Sequence, residues 1–178
     1  LIAGSIAVIV MTRRHDLPLG RVAGAMAAPL SVAYGIGRIG CFLAGDGTYG
    51  TPTDLPWGLA FPNGVVPVNV PVHPVQLYEA AGAFLIAGIL WALGRRLRPL
   101  AVFGSYLLLS GAARLLAEVV RINPHVLLGL TEAQLIGIVS IILGVALILR
   151  DAFHPAVAPS DAPVGSESAV LSSHPVGR

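Results

Sequence analysis

No lysine occurs among the 178 residues, and charged side chains of every kind make up only 11% of them. Soluble domains average about 25%. Here 55% of residues are hydrophobic and the mean hydropathy is +0.80, too apolar for water, so the chain reads as a membrane protein. Its basic residues are all arginine, dispersed among apolar segments rather than gathered on one face. That dispersion argues against a nucleic-acid partner despite a pI near 9.1. One cysteine, Cys41, excludes an internal disulfide and a multi-cysteine metal cluster. No His/Cys/Asp spacing resembles a metal site, so no metal is expected.

What is present is a series of long apolar runs. A helix needs about 20 mostly apolar residues to cross the hydrocarbon. Segments 19–45, 75–94, 100–120 and 131–149 meet that length, the first of them glycine-rich and interrupted by Pro29 and Arg38. The opening run "LIAGSIAVIVM" is followed rather than preceded by Arg13 and Arg14, so it reads as the end of a span that begins upstream, not as a signal peptide. The expected fold is an all-α, polytopic helical membrane protein with about five spans, the first partial. Thr131 is the expected cap of the last helix, with Glu132 in its first turn.

Arginine placement orients the spans. Arg13 and Arg14, then Arg95, Arg96 and Arg98, then Arg150, fall in alternate connections and should be cytoplasmic, as should the C-terminus. The 46–74 connection has no Lys or Arg and should face outside; it is proline-rich, has no helical period, and reads as an irregular extracytoplasmic segment between the second and third spans. Residues 1–150 are expected to form the membrane domain. The Pro/Ala/Ser-rich stretch 151–178 is expected to be a disordered cytoplasmic tail.

The stretch "GIGRIGCFLAGDGTYG", residues 35–50, contains the G-x-G-x-x-G of a dinucleotide-binding turn. Such a turn needs a preceding strand and a following helix within a βαβ unit. Here the upstream residues belong to a membrane span. Gly37 and Gly40 instead fit close packing in a membrane helix beside Arg38. An ionisable residue within a span marks a functional site by default, and a guanidinium fork binds phosphate oxygens in pairs. Arg114 lies mid-span in 100–120, with Glu118 at i+4 as a possible partner; Arg38 could pair with Asp46 or Glu118. Two intramembrane arginines and two acids favour a polar cavity that receives a phospholipid headgroup.

Three ordered blocks, "GRIGCFLAGDGTYGTPTDLPWG", "HPVQLYE" and "GAARLLAEVVR" followed by "LTEAQLIG", resemble those of the prolipoprotein diacylglyceryl transferase family. The resemblance covers about residues 1–149. It implies a multi-span enzyme of the bacterial inner membrane that moves the diacylglyceryl group of phosphatidylglycerol onto the lipobox cysteine of a preprolipoprotein. Glycerol phosphate is released, and neither metal nor organic cofactor is used. By matching position, the resemblance implies Arg38, Arg114, Asp46 and Glu118 as catalytic residues. It implies Gly37, Gly40, His73, Gln76, Tyr78, Glu79 and Arg121 as substrate-binding ones. The chain departs from the family pattern G-R-x-G-N-F-x-N-x-E-x-x-G at Cys41, Ala44 and Asp46, and Ser110 stands where a tyrosine often precedes the third-block arginine. The family's histidine, in a His-Gly-Gly block, would fall just before Leu1. His73 is a candidate base, although a helix-orienting role fits its place before Pro74 better. Cys41, in apolar surroundings, reads as a packing residue.

The chemistry agrees with the residues. Displacing a phosphate ester with a thiolate requires stabilisation of the leaving charge, which two fixed guanidinium groups supply. A transporter whose intramembrane charges line an ion path is the alternative from another class, but no internal repeat supports it. A non-catalytic, phospholipid-binding homologue is a third reading, favoured by the first-block departures.

Overall fold

The computed structural model describes residues 2–121, 125–127 and 130–153. Five helices form there: α1 (Ile2–Arg14), α2 (Leu19–Ala44), α3 (Val75–Leu93), α4 (Pro99–Glu118) and α5 (Glu132–Phe153). The last four are long and apolar enough to cross a membrane. They carry large apolar side chains outward, such as Leu43, Leu85, Trp91 and Ile142, as a lipid-facing surface would. The protein is a polytopic helical membrane protein. The stretch expected as a partial first span is the thirteen-residue α1.

Although Pro29 and Arg38 interrupt its apolar run, α2 continues unbroken through both. Proline is tolerated in membrane helices because neighbouring groups re-satisfy the freed carbonyl. At its end, Gly45 takes the left-handed conformation (φ 62°) and its N–H returns to the carbonyls of Cys41 and Phe42. Thr131 caps α5 as expected, in a reciprocal arrangement. Its hydroxyl accepts from the Gln134 amide while the Gln134 side chain accepts from the Thr131 N–H.

The 46–74 segment is more ordered than its composition indicated. It contains an antiparallel hairpin, β1 (Leu59–Phe61) with β2 (Val68–Val72). A bridge from Pro52 to Val72 extends the hairpin within the segment, and one from Gly50 to Arg121 ties it to the chain just beyond α4. A smaller pair, β3 (His125–Leu127) and β4 (Leu130–Thr131), precedes α5. The tail expected to be disordered lies outside the described residues except for 151–153, which continue α5.

Close packing by glycine joins α4 to α5. A Cβ on Gly111 would stand 2.6 Å from the Gly137 carbonyl oxygen, and one on Gly144 2.6 Å from that of Gly104. The two pairs share a spacing of seven residues, so one face of each antiparallel helix is smooth over two turns. Gly111→Val should therefore lower the thermal midpoint in detergent, at a cost of about 1–3 kcal/mol typical of overpacking. Gly88→Ala, with open space at its Cβ, should not. Equal midpoints for the two variants would refute this account of the α4–α5 contact.

The packed core, Ala27, Ile86, Leu90 and Val102, lies in the halves of α2, α3 and α4 remote from the 46–74 segment. The opposite halves part around a cavity.

Candidate active site

The cavity is about 940 Å³ and is bounded by α2, α3, α4 and the start of α5. Most of its wall is apolar, contributed by residues such as Ile86, Ala113, Leu116 and Ile136. Its polar part is built on one residue. Glu79, the fifth residue of α3, has a side chain only 4% exposed and receives three arginines. Arg38 of α2 approaches Oε2 with Nε at 3.0 Å, Arg114 of α4 donates Nη1 to Oε1 at 2.6 Å, and Arg121 beyond α4 reaches Oε1 at 3.5 Å. Three cations share one anion, so the cluster stays positive. All three lie near helix ends that meet at the 46–74 side: Arg38 six residues before the end of α2, Arg114 four before the end of α4.

One expectation from the sequence is corrected here. Arg114 is not mid-span, because α4 stops at Glu118 and leaves it one turn from the end, roughly 6 Å of rise. Arg114, like Arg38, pairs with Glu79, a partner the spacing did not single out. The reason is tertiary: α3 lies against both α2 and α4 and presents one buried carboxylate to both. Glu118 is itself buried, at the last turn of α4, and is not among the described residues that line the cavity.

Tyr34 completes the cluster. Its hydroxyl accepts from Arg38 Nε at 3.0 Å and donates to Glu79 Oε1 at 3.0 Å. Beside it, Ser31 donates to the Ala83 carbonyl at 2.8 Å and fastens α2 to α3. The second sequence block forms the entrance to α3. Tyr78 lines the cavity and accepts from Trp57 Nε1 at 2.7 Å; its hydroxyl lies 3.4 Å from His73 Nδ1. His73 joins the segment's backbone ladder through Thr51 and Gly50, in keeping with an orienting role. Gln76 is fully buried, with no hydrogen-bond partner for its amide among the described residues.

The family model described as prolipoprotein diacylglyceryl transferase matches residues 1–150. The chain belongs to that family. Relatives named phosphatidylglycerol–prolipoprotein diacylglyceryl transferase include one from Clostridium tetani, 33% identical over 157 residues, covering 86% of this chain and 63% of the relative. One from a Marinomonas species is 37% identical over 153 residues, with 81% and 55% covered. One from Pseudomonas fluorescens is 39% identical over 146 residues, with 77% and 53% covered. The chain thus spans between about half and two thirds of the length of these curated relatives.

The departures from the transferase family's first block fall at the end of α2. Arg38 Nη1 lies 3.9 Å from Cys41 Sγ, with the Asp46 carboxylate nearby. Cys41 is therefore half-buried between polar partners, not a pure packing residue. Asp46 accepts from the Thr48 hydroxyl at 2.7 Å and amide at 3.1 Å, an Asx turn. Burial alone would raise its carboxyl, but these hydrogen bonds and the Arg38 charge hold it below the ordinary carboxylate value. Folding thus favours the charged form. The contribution of Asp46 to stability should be full above the ordinary Asp value of about 3.9 and disappear as pH falls through the lower folded value. The stability difference between wild type and Asp46→Asn should accordingly be flat from about pH 5 to 8 and narrow only at more acid pH. A difference that changes across neutrality would overturn this.

The packing expected of Gly37 and Gly40 is not found. Nothing lies within 4 Å of a Cβ at either, and Gly35 is the one that packs, against Phe84. The helical period explains this, since Gly35 faces α3 whereas Gly37 and Gly40 are exposed. Of the residues singled out from sequence, Arg38, Arg114, Tyr78, Glu79 and Arg121 line the cavity; Asp46, Gly37, Gly40, His73 and Gln76 are not among the described lining residues. Sequence reasoning missed Tyr34, Tyr106, Thr131 and Glu132, which do line it. For Tyr34 a signal existed: it precedes Arg38 by four, the spacing of facing residues on a helix.

Proposed function

We propose that the protein transfers the diacylglyceryl group of phosphatidylglycerol to the lipobox cysteine thiol of preprolipoproteins. The observation that carries this is the pairing, in one cavity, of a three-arginine cluster on a single carboxylate with a long apolar wall. That combination fits an anionic headgroup with acyl tails. Fixed guanidinium groups in a site with little water stabilise charge where it develops.

In the reaction, the substrate thiolate attacks the glyceryl carbon that bears the phosphate. A carbon–sulfur bond forms as the carbon–oxygen bond breaks, and the electron pair leaves on the phosphate oxygen of glycerol phosphate. Arg38 and Arg114 hold that phosphate, with Arg121 beside them, while Glu79 keeps the guanidinium groups apart and in place. Asp46 and Thr48 shape the turn beside them. The relatives' names supply the two substrates. Alternation of arginines supports an extracytoplasmic 46–74 segment, a cytoplasmic C-terminus and a cytoplasmic tail from 151. The cluster then lies towards the outer leaflet.

The test is to supply the full chain in phospholipid nanodiscs with glycerol-labelled phosphatidylglycerol and a lipobox peptide. A thioether-linked peptide with release of glycerol phosphate is expected, and none with serine in place of the peptide's cysteine. Lipid binding without transfer would instead establish the non-catalytic homologue.

A further inference from the structure

Tyr34 lies outside the sequence blocks that carry the family resemblance, yet it occupies the centre of the charge cluster. It is one helical turn before Arg38 on the same face of α2, and its hydroxyl is the shared partner of Arg38 Nε and Glu79 Oε1, each at 3.0 Å. Arg38 Nη2 also reaches Glu79 Oε1 at 3.3 Å, and the guanidinium carbon lies 5.2 Å from the centre of the Tyr34 ring. The plane of Arg38 is therefore fixed at Nε by its hydrogen bond to Tyr34 of its own helix and by Glu79 Oε2 at 3.0 Å, and at Nη2 by Glu79 Oε1. A guanidinium on three flexible methylenes is otherwise free to turn, and ordering it beforehand removes that cost from ligand binding.

The chemical character of the restraint matters. A second carboxylate at this place would hold Arg38 as firmly but would cancel one of the positive charges that an anion needs. A phenol is neutral. It accepts from Nε while passing its own proton to Glu79, so Arg38 is oriented without loss of the cluster's charge.

We propose that Tyr34 is a positioning residue that orients Arg38 toward the phosphate of the bound lipid, resting on the reading of the cavity as a phospholipid site. The test is a double-mutant cycle of Tyr34→Phe and Arg38→Lys in the full chain in nanodiscs. It reads both binding of labelled phosphatidylglycerol and the rate of transfer. Phenylalanine keeps the ring and its contact with the guanidinium and removes only the hydroxyl. Tyr34 is 44% exposed, so the change leaves no buried void, and the thermal midpoint should stay near that of wild type. In the wild-type background Tyr34→Phe should weaken phosphatidylglycerol binding and kcat/KM by roughly tenfold, the scale of one hydrogen bond to a charged group. In the Arg38→Lys background, where no Nε–H exists, the same change should have no effect on either. Unaltered binding by Tyr34→Phe, or a loss of equal size in both backgrounds, overturns the proposal. Coupling seen in binding without any transfer by the unaltered chain upholds Tyr34 as a positioning residue and overturns only the transferase reading. Failure of the unaltered chain to bind phosphatidylglycerol overturns both.

Discussion

Glu79→Gln should destabilise the folded chain by about 3–5 kcal/mol, the cost of removing one partner from a buried ionic cluster. For a chain of this size that is a fall in thermal midpoint of about 10 °C. Glutamine matches the carboxylate in shape, so no void is made; what is lost is the one charge that three arginines share. An exposed ion pair would contribute only about 0–1 kcal/mol. The difference arises because the Glu79 side chain is 4% exposed and the arginines around it no more than 27%. Without it the guanidinium groups repel one another across a mostly apolar cavity. Removing Arg121 as well should restore part of the loss by relieving that repulsion. Thermal unfolding in detergent checks both variants. An unchanged midpoint for Glu79→Gln would mean that the carboxylate does not hold the site together.

Arg114→Ala should abolish transfer while leaving the fold intact. Its side chain is 27% exposed, the most accessible of the three, and it meets Glu79 through Nη1 alone. Arg38 by contrast is engaged at Nε, Nη1 and Nη2 by Tyr34, Cys41 and Glu79. Arg114 therefore has the freer edge to offer a phosphate. Loss of one such donor in a preorganised site costs about 10²–10³ in rate. Arg38 and Arg121 still neutralise Glu79, so stability should change little. Arg114→Lys keeps the charge but not the planar fork, and should fall between. Single-turnover transfer measures the loss; a rate within tenfold of wild type for Arg114→Ala would remove that arginine from the reaction.

Much of this architecture is legible in the sequence because the bilayer constrains it. Only continuous helices satisfy their own backbone in hydrocarbon, so apolar runs at 19–45, 75–94, 100–120 and 131–149 become α2 to α5 within a few residues at each end. The cost of burying charge likewise made Arg38 and Arg114 conspicuous before any contact was known. Local rules placed Thr131 as a cap for the same reason: capping depends on neighbours three residues away.

Partnership was not legible. From spacing alone Glu118 is the natural mate of Arg114, since i and i+4 face one way. That Glu79 pairs with Arg114, and with Arg38 and Arg121 besides, follows from α3 lying against both α2 and α4, a fact of helix packing that linear spacing does not encode. The glycines show the same divide. Gly37 and Gly40 drew attention through a motif and meet nothing, whereas Gly111 with Gly137 and Gly104 with Gly144 set the approach of α4 to α5. Local composition settles which segments can cross the membrane and which charges are costly there. Which of those charges share a single carboxylate depends on where helices distant in sequence converge.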